Sequence, residues 1–161
     1  MRVLARLENA LITALMAATA LVILIQVFYR YALHQPLSWS NEIATDLLVY
    51  VAFVGLAIGV RDNAHVALHL FERRVGVRTR RLLRAAEMLV LGAVLACIGV
   101  GGAAYAYDHR DVVSPIGLPL WVAFAALPLG GLLGAVHAVV EVVALARGAE
   151  LPDPILVEAN Q

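Results

Sequence analysis

Four long apolar stretches joined by short polar connections leave this chain one kind of surroundings in which to fold. A membrane-crossing helix needs roughly 20 apolar residues at about 1.5 Å each. Four of them consume about half of a 161-residue chain and leave room only for short loops. Hydrophobic residues make up 62% of the sequence and the mean hydropathy is +0.85, too apolar for a soluble domain of this length. The sequence therefore reads as an all-α integral membrane protein with four transmembrane helices. They are expected at about 4–31, 39–60, 82–107 and 118–146, within one membrane domain over 1–147, with a short cytoplasmic tail over 148–161.

The basic residues orient this pattern. All twelve are arginines, and ten fall on one side of it: Arg2, Arg6, Arg61, Arg73, Arg74, Arg78, Arg80, Arg81, Arg84 and Arg147. Only Arg30 and Arg110 lie at the opposite ends. Arginines close to spanning segments stay in the cytoplasm, so both termini are expected inside. Twelve acidic residues balance the twelve arginines, which argues against a nucleic-acid partner. The first apolar run, over 10–29, has the length of a span, whereas a secretory signal carries an apolar core of about 7–15 residues. It is expected to be an uncleaved first helix. The lone Cys97, in mid-run, offers neither a disulfide framework nor a thiolate metal site and reads as a small packing residue.

Gln26, Tyr29, Arg30, Tyr31 and Trp39 mark the outer membrane interface. Pro36 punctuates the turn after the first helix, and Ser38 is expected to cap the second. That second helix has the most polar face in the chain. Ser38, Glu42, Thr45, Asp46 and Tyr50 recur at helical spacing and share one side. Glu42 and Asp46 have three readings: an ion or proton site, a contact to a partner or another helix, or a pair favoured by the helix N-terminus and headgroup water. No nucleophile or water-activating group accompanies them, so catalysis is not expected.

Gly55 and Gly59 form a G-x-x-x-G pair that admits a neighbouring helix, and Gly130 and Gly134 do the same in the fourth span. Pro128 has no N–H for Phe124 and is expected to kink that span. Residues 65–71 are too short to cross a membrane and too apolar for a free loop, and fit a short interfacial helix between helices 2 and 3. A haem needs facing imidazoles inside the membrane, but only His137 is deep in a span. His65 and His69 lack a third metal ligand nearby. Neither a cofactor nor a metal is expected. His137 and Glu141 are placed to face each other across one helical turn, in a structural role.

These motifs resemble a known family, the small membrane subunit (DctQ type) of tripartite ATP-independent periplasmic (TRAP) transporters. The resemblance is strongest over RYALHQPLSWSNEIATDLLVYVAFVGLAIGVRDNAHVALHLF, where Arg30, Tyr31, Pro36, Leu37, Trp39, Glu42, Gly55, Arg61, His65 and Val66 follow its pattern. SPIGLPLWVAFAALPLGGLL, with Pro119, Trp121 and Pro128, resembles its fourth helix. The chain departs from the pattern at Asn41 and His69, where acidic residues are common. The resemblance implies a multi-pass scaffold in the bacterial inner membrane. Its partners would be a large permease subunit, which holds the sodium and substrate sites, a periplasmic solute-binding protein and membrane lipid. The implied activity is ion-coupled uptake of an organic acid. On this reading Arg30, Trp39, Glu42, Asp46, Arg61 and His65 are the candidate subunit-interface or structural polar residues. Two alternatives remain open on the sequence: a haem- or quinone-associated anchor of a redox complex, and the small subunit of a tripartite tricarboxylate transporter.

Overall fold

The computed structural model describes residues 2–62 and 76–147. Its helices are α1 (Arg2–Tyr31), α2 (Ser40–Arg61), α3 (Val77–Asp108), α4 (Leu120–Phe124) and α5 (Ala126–Ala146). The first three are each long and apolar enough to cross a membrane, and α4 with α5 forms a fourth such span, Leu120–Ala146. No strand occurs among the described residues beyond an isolated bridge between Val113 and Pro119. The interfacial segment expected at 65–71, with His65 and His69, and the tail over 148–161 lie outside the described residues.

Two boundaries differ from expectation for local reasons. α3 begins at Val77 rather than near Leu82, because arginine is a good helix former and its long stem carries the charge to the interface. Ser38 does not cap α2. The chain already turns at Ser38 and Trp39, Trp39 holds the cap position in helical geometry without a side-chain cap bond, and Ile43 N–H donates to the Trp39 carbonyl at 3.1 Å.

The fourth span is broken at Ala125, one turn before Pro128. Ala125 N–H still donates to Trp121 O (2.9 Å) and Leu129 N–H to Ala125 O (3.2 Å). Between them Pro128 has no proton for Phe124 O, and its ring crowds that carbonyl. The expected kink is therefore a full interruption. Val122 O, which accepts the Ala125 N–H at 3.3 Å, gains a second donor from α2, as the Tyr50 hydroxyl donates to it at 2.5 Å.

The helices pack in a row. α1 lies on α2, α2 on α5, and α5 on α3, with α4 against α3. A small core of Val60, Met88, Leu95 and Ala138 joins α2, α3 and α5. Lipid tails are as apolar as leucine, so close backbone approach, rather than escape from water, drives such packing. α5 supplies that approach. A Cβ on Gly130 would collide with the Phe53 backbone of α2, and one on Gly131 would fall 2.8 Å from Gly99 N and Leu95 O of α3. Gly134 sits between Leu95 and Ala57. Of the G-x-x-x-G pair in α2, only Gly55 meets another helix, its added Cβ lying 3.4 Å from Ile12 of α1, while Gly59 faces open space. Cys97 is exposed on α3 and is not the packing residue expected of it.

Candidate functional site

Polar chemistry gathers at the two ends of α2. At its C-terminal end Arg61 reaches α1 with every guanidinium nitrogen bonded. Nη1 donates to Glu8 Oε2 at 2.5 Å and to the Ala5 carbonyl at 3.3 Å. Nη2 reaches Asn9 Oδ1 at 2.8 Å and Asp62 Oδ2 at 3.1 Å, and Nε reaches Asp62 Oδ1 at 2.8 Å. The second oxygen of Glu8 meets His137 Nε2 of α5 at 2.7 Å. One carboxylate thus spans three helices, and Glu8 is only 3% exposed. Asp62, just past α2, is held below its ordinary value of 3.8 first by the hydrogen bond from Arg61, against the opposing effect of burial.

The N-terminal end of α2 is built differently. Gln26 Nε2 of α1 donates to Asn41 Oδ1 at 2.5 Å, so Asn41, the departure from the family pattern, ties α2 to α1 by a neutral amide bond. Thr45 turns its hydroxyl back to Asn41 O at 2.8 Å. Glu42 and Asp46 are half-buried, stand one turn apart, and have no ion pair or side-chain hydrogen bond among the described residues. With Phe53, Leu56 and Val60 they occupy one stripe of α2. The far end of that stripe packs into the α3–α5 core through Val60, with Leu56 against it.

The remaining sequence candidates scatter. Arg30 is exposed and stacks over Tyr31 with its guanidinium carbon 5.7 Å from the ring centre. Trp39 stays partly exposed at the start of α2, and His65 lies outside the described residues. His137 does not pair with Glu141, because its Nε2 turns to Glu8. Glu141 has no ion pair among the described residues. Glu8, Asn9 and Asp62 are polar residues of the Arg61 network that sequence reasoning does not single out, whereas Tyr50 is already placed on the polar face of α2. Glu8 had one visible signal: it is the only acidic residue in α1.

No group of three or more histidine, cysteine, aspartate or glutamate side chains that could hold a metal converges among the described residues. The polar groups instead join helix to helix or stand on a helix face. Together with four spans, this defines a multi-pass helical membrane protein. Residues 19–148 match the family described as "Tripartite ATP-independent periplasmic transporters, DctQ component", and the chain belongs to that family. It is 27% identical to the C4-dicarboxylate TRAP transporter small permease protein DctQ of Rhodobacter capsulatus, over 94% of this chain and 82% of that one. It is 29% identical to the sialic acid TRAP transporter small permease protein SiaQ of Vibrio cholerae, over 81% and 76%. Against the sialic acid TRAP transporter permease protein SiaT of Haemophilus influenzae the identity is 28%, over 83% of this chain but 22% of that longer protein. These relatives are named as transporter subunits, not enzymes.

Proposed function

We propose that this chain is the small permease subunit of a TRAP transporter in the bacterial inner membrane, a scaffold that pairs with a large permease subunit. The complex takes up an organic acid, coupled to an ion, sodium by the family resemblance, after a periplasmic binding protein delivers it. Two relatives named for C4-dicarboxylate and sialic acid support the substrate class. The long permease SiaT, in which a segment similar to this chain is a fraction of the whole, supports close physical association with a larger permease. The arginine distribution supports cytoplasmic termini; in that orientation Glu8 and Arg61 belong to the inner face and Glu42 and Asp46 to the outer.

The observation that carries the scaffold reading is the half-buried, unpaired acid pair on α2. A carboxylate within a span is costly unless water or a cation meets it, and no cation of this chain does so among the described residues. A basic or hydrogen-bonding group of the large subunit is the proposed partner. Arg30 and Trp39 flank this face at the outer interface; Arg61 belongs to the fold of the subunit itself. The redox-anchor alternative loses its best ligand, because His137 Nε2 is already bonded to Glu8.

Tagging the chain in its native host, extracting in mild detergent and identifying stoichiometric partners tests the proposal. A large multi-helix permease is expected. Redox subunits, or a coloured complex with a haem spectrum, would overturn it.

A further inference from the structure

α1 is the edge of the helix row, and none of its apolar spanning window is buried against the other helices. Among its described side chains one alone is buried, and that one is the carboxylate of Glu8. In lipid, an apolar helix face gains little by leaving acyl chains for another helix, so close packing and directional polar bonds together decide where such a helix sits. Each oxygen of Glu8 serves a different neighbour: Oε2 takes Arg61 of α2, and Oε1 takes His137 of α5. α1 packs along α2 but has no comparable packing on α5. The Glu8–His137 bond is the only side-chain hydrogen bond between α1 and α5 among the described residues.

We propose that Glu8 is the anchor that positions the first helix, its two oxygens fixing α1 against α2 and α5 at the inner membrane face. The arms are unequal. Without Glu8, Arg61 keeps Asp62, Asn9 and the Ala5 carbonyl, so the α1–α2 contact is weakened rather than lost. His137 has no second hydrogen-bond partner among the described residues, only a longer-range electrostatic interaction with Asp62, and loss of the Glu8–His137 bond frees α1 to rotate or swing about α2. Glu141, one turn further along α5 and without an ion pair among the described residues, sits on the same helix as His137 and cannot tie α5 to α1 in place of Glu8.

Disulfide trapping in native membranes reads the position of α1 directly. The full chain would carry Cys97→Ala, Ile12→Cys and Gly55→Cys, because Ile12 Cδ1 lies 3.4 Å from a Cβ built on Gly55. Adding Glu8→Ala should lower the oxidised yield several-fold, and His137→Ala should lower it by a smaller factor. The double variant should lose no more than Glu8→Ala alone, since both changes cut the same anchor. Glu141→Gln should leave the yield unchanged. Undiminished trapping in Glu8→Ala, or losses that multiply in the double variant, would overturn the proposal. If Glu8→Ala fails to accumulate, His137→Ala alone decides, and an unchanged yield there refutes the α5 arm. This readout requires no transport activity, so it stands or falls separately from the scaffold assignment.

Discussion

The two ends of α2 handle buried polarity in opposite ways. At the Arg61 end, charge is closed within the chain: Glu8, Arg61, Asn9, Asp62 and His137 bond one another across three helices. At the Glu42 end, neutral groups are paired, Gln26 with Asn41 and Tyr50 with Val122, while the two acids are left without an ionic partner among the described residues. A saturated network contributes to the fold of the subunit, because removing one member strands the others in a poor solvent for charge. An unsaturated pair contributes little to that fold and is available to another molecule. On the proposed function, the contrast separates residues that hold this subunit together from residues that would hold it to the large subunit.

Breaking the saturated end should have the larger effect on the isolated subunit. Arg61→Ala leaves Glu8 facing His137 alone and removes every side-chain hydrogen bond that α2 makes to α1 at this end. We expect a loss of about 3 kcal/mol, measured as detergent-denaturation stability of the purified chain. A loss near zero would place the network in contact with water and erase the contrast. At the other end, Tyr50→Phe removes one hydroxyl from a carbonyl exposed by the helix break and should cost about 1 kcal/mol in the same assay. A cost equal to that of Arg61→Ala would show that the Glu42 end is also part of the subunit's own framework.

Much of this arrangement is legible in the sequence, for identifiable reasons. Spans are read from hydropathy summed over some 20 residues, so α1, α2 and the fourth span came out within two residues of their described ends. Pro128 announced the interruption because its missing N–H is a local fact. The Glu8 network was not legible. Glu8 lies 53 positions from Arg61 and 129 from His137, and only the packing order α1–α2–α5 brings them together. Helical spacing pairs His137 with Glu141, because it exposes neighbours within one helix and hides those on others. Gly59 likewise matched a packing motif, but motif spacing does not say whether a helix is present on that side. Glu42 and Asp46 were recognised by their cost in a membrane, which is a property of residue type and depth. Their lack of an internal partner emerged only from the folded chain.

The proposed role of Glu42 and Asp46 is assembly with the large permease. Its most direct test compares Glu42→Ala with Cys97→Ala in the tagged complex, measuring both the yield of the purified small subunit and the amount of large permease recovered with it. Glu42→Ala is expected to leave the subunit's own yield intact and to lower recovery of the large permease several-fold, while Cys97→Ala, at an exposed position on α3, is expected to change neither. Equal recovery in the two variants, or a Glu42→Ala subunit that fails to accumulate by itself, would contradict it.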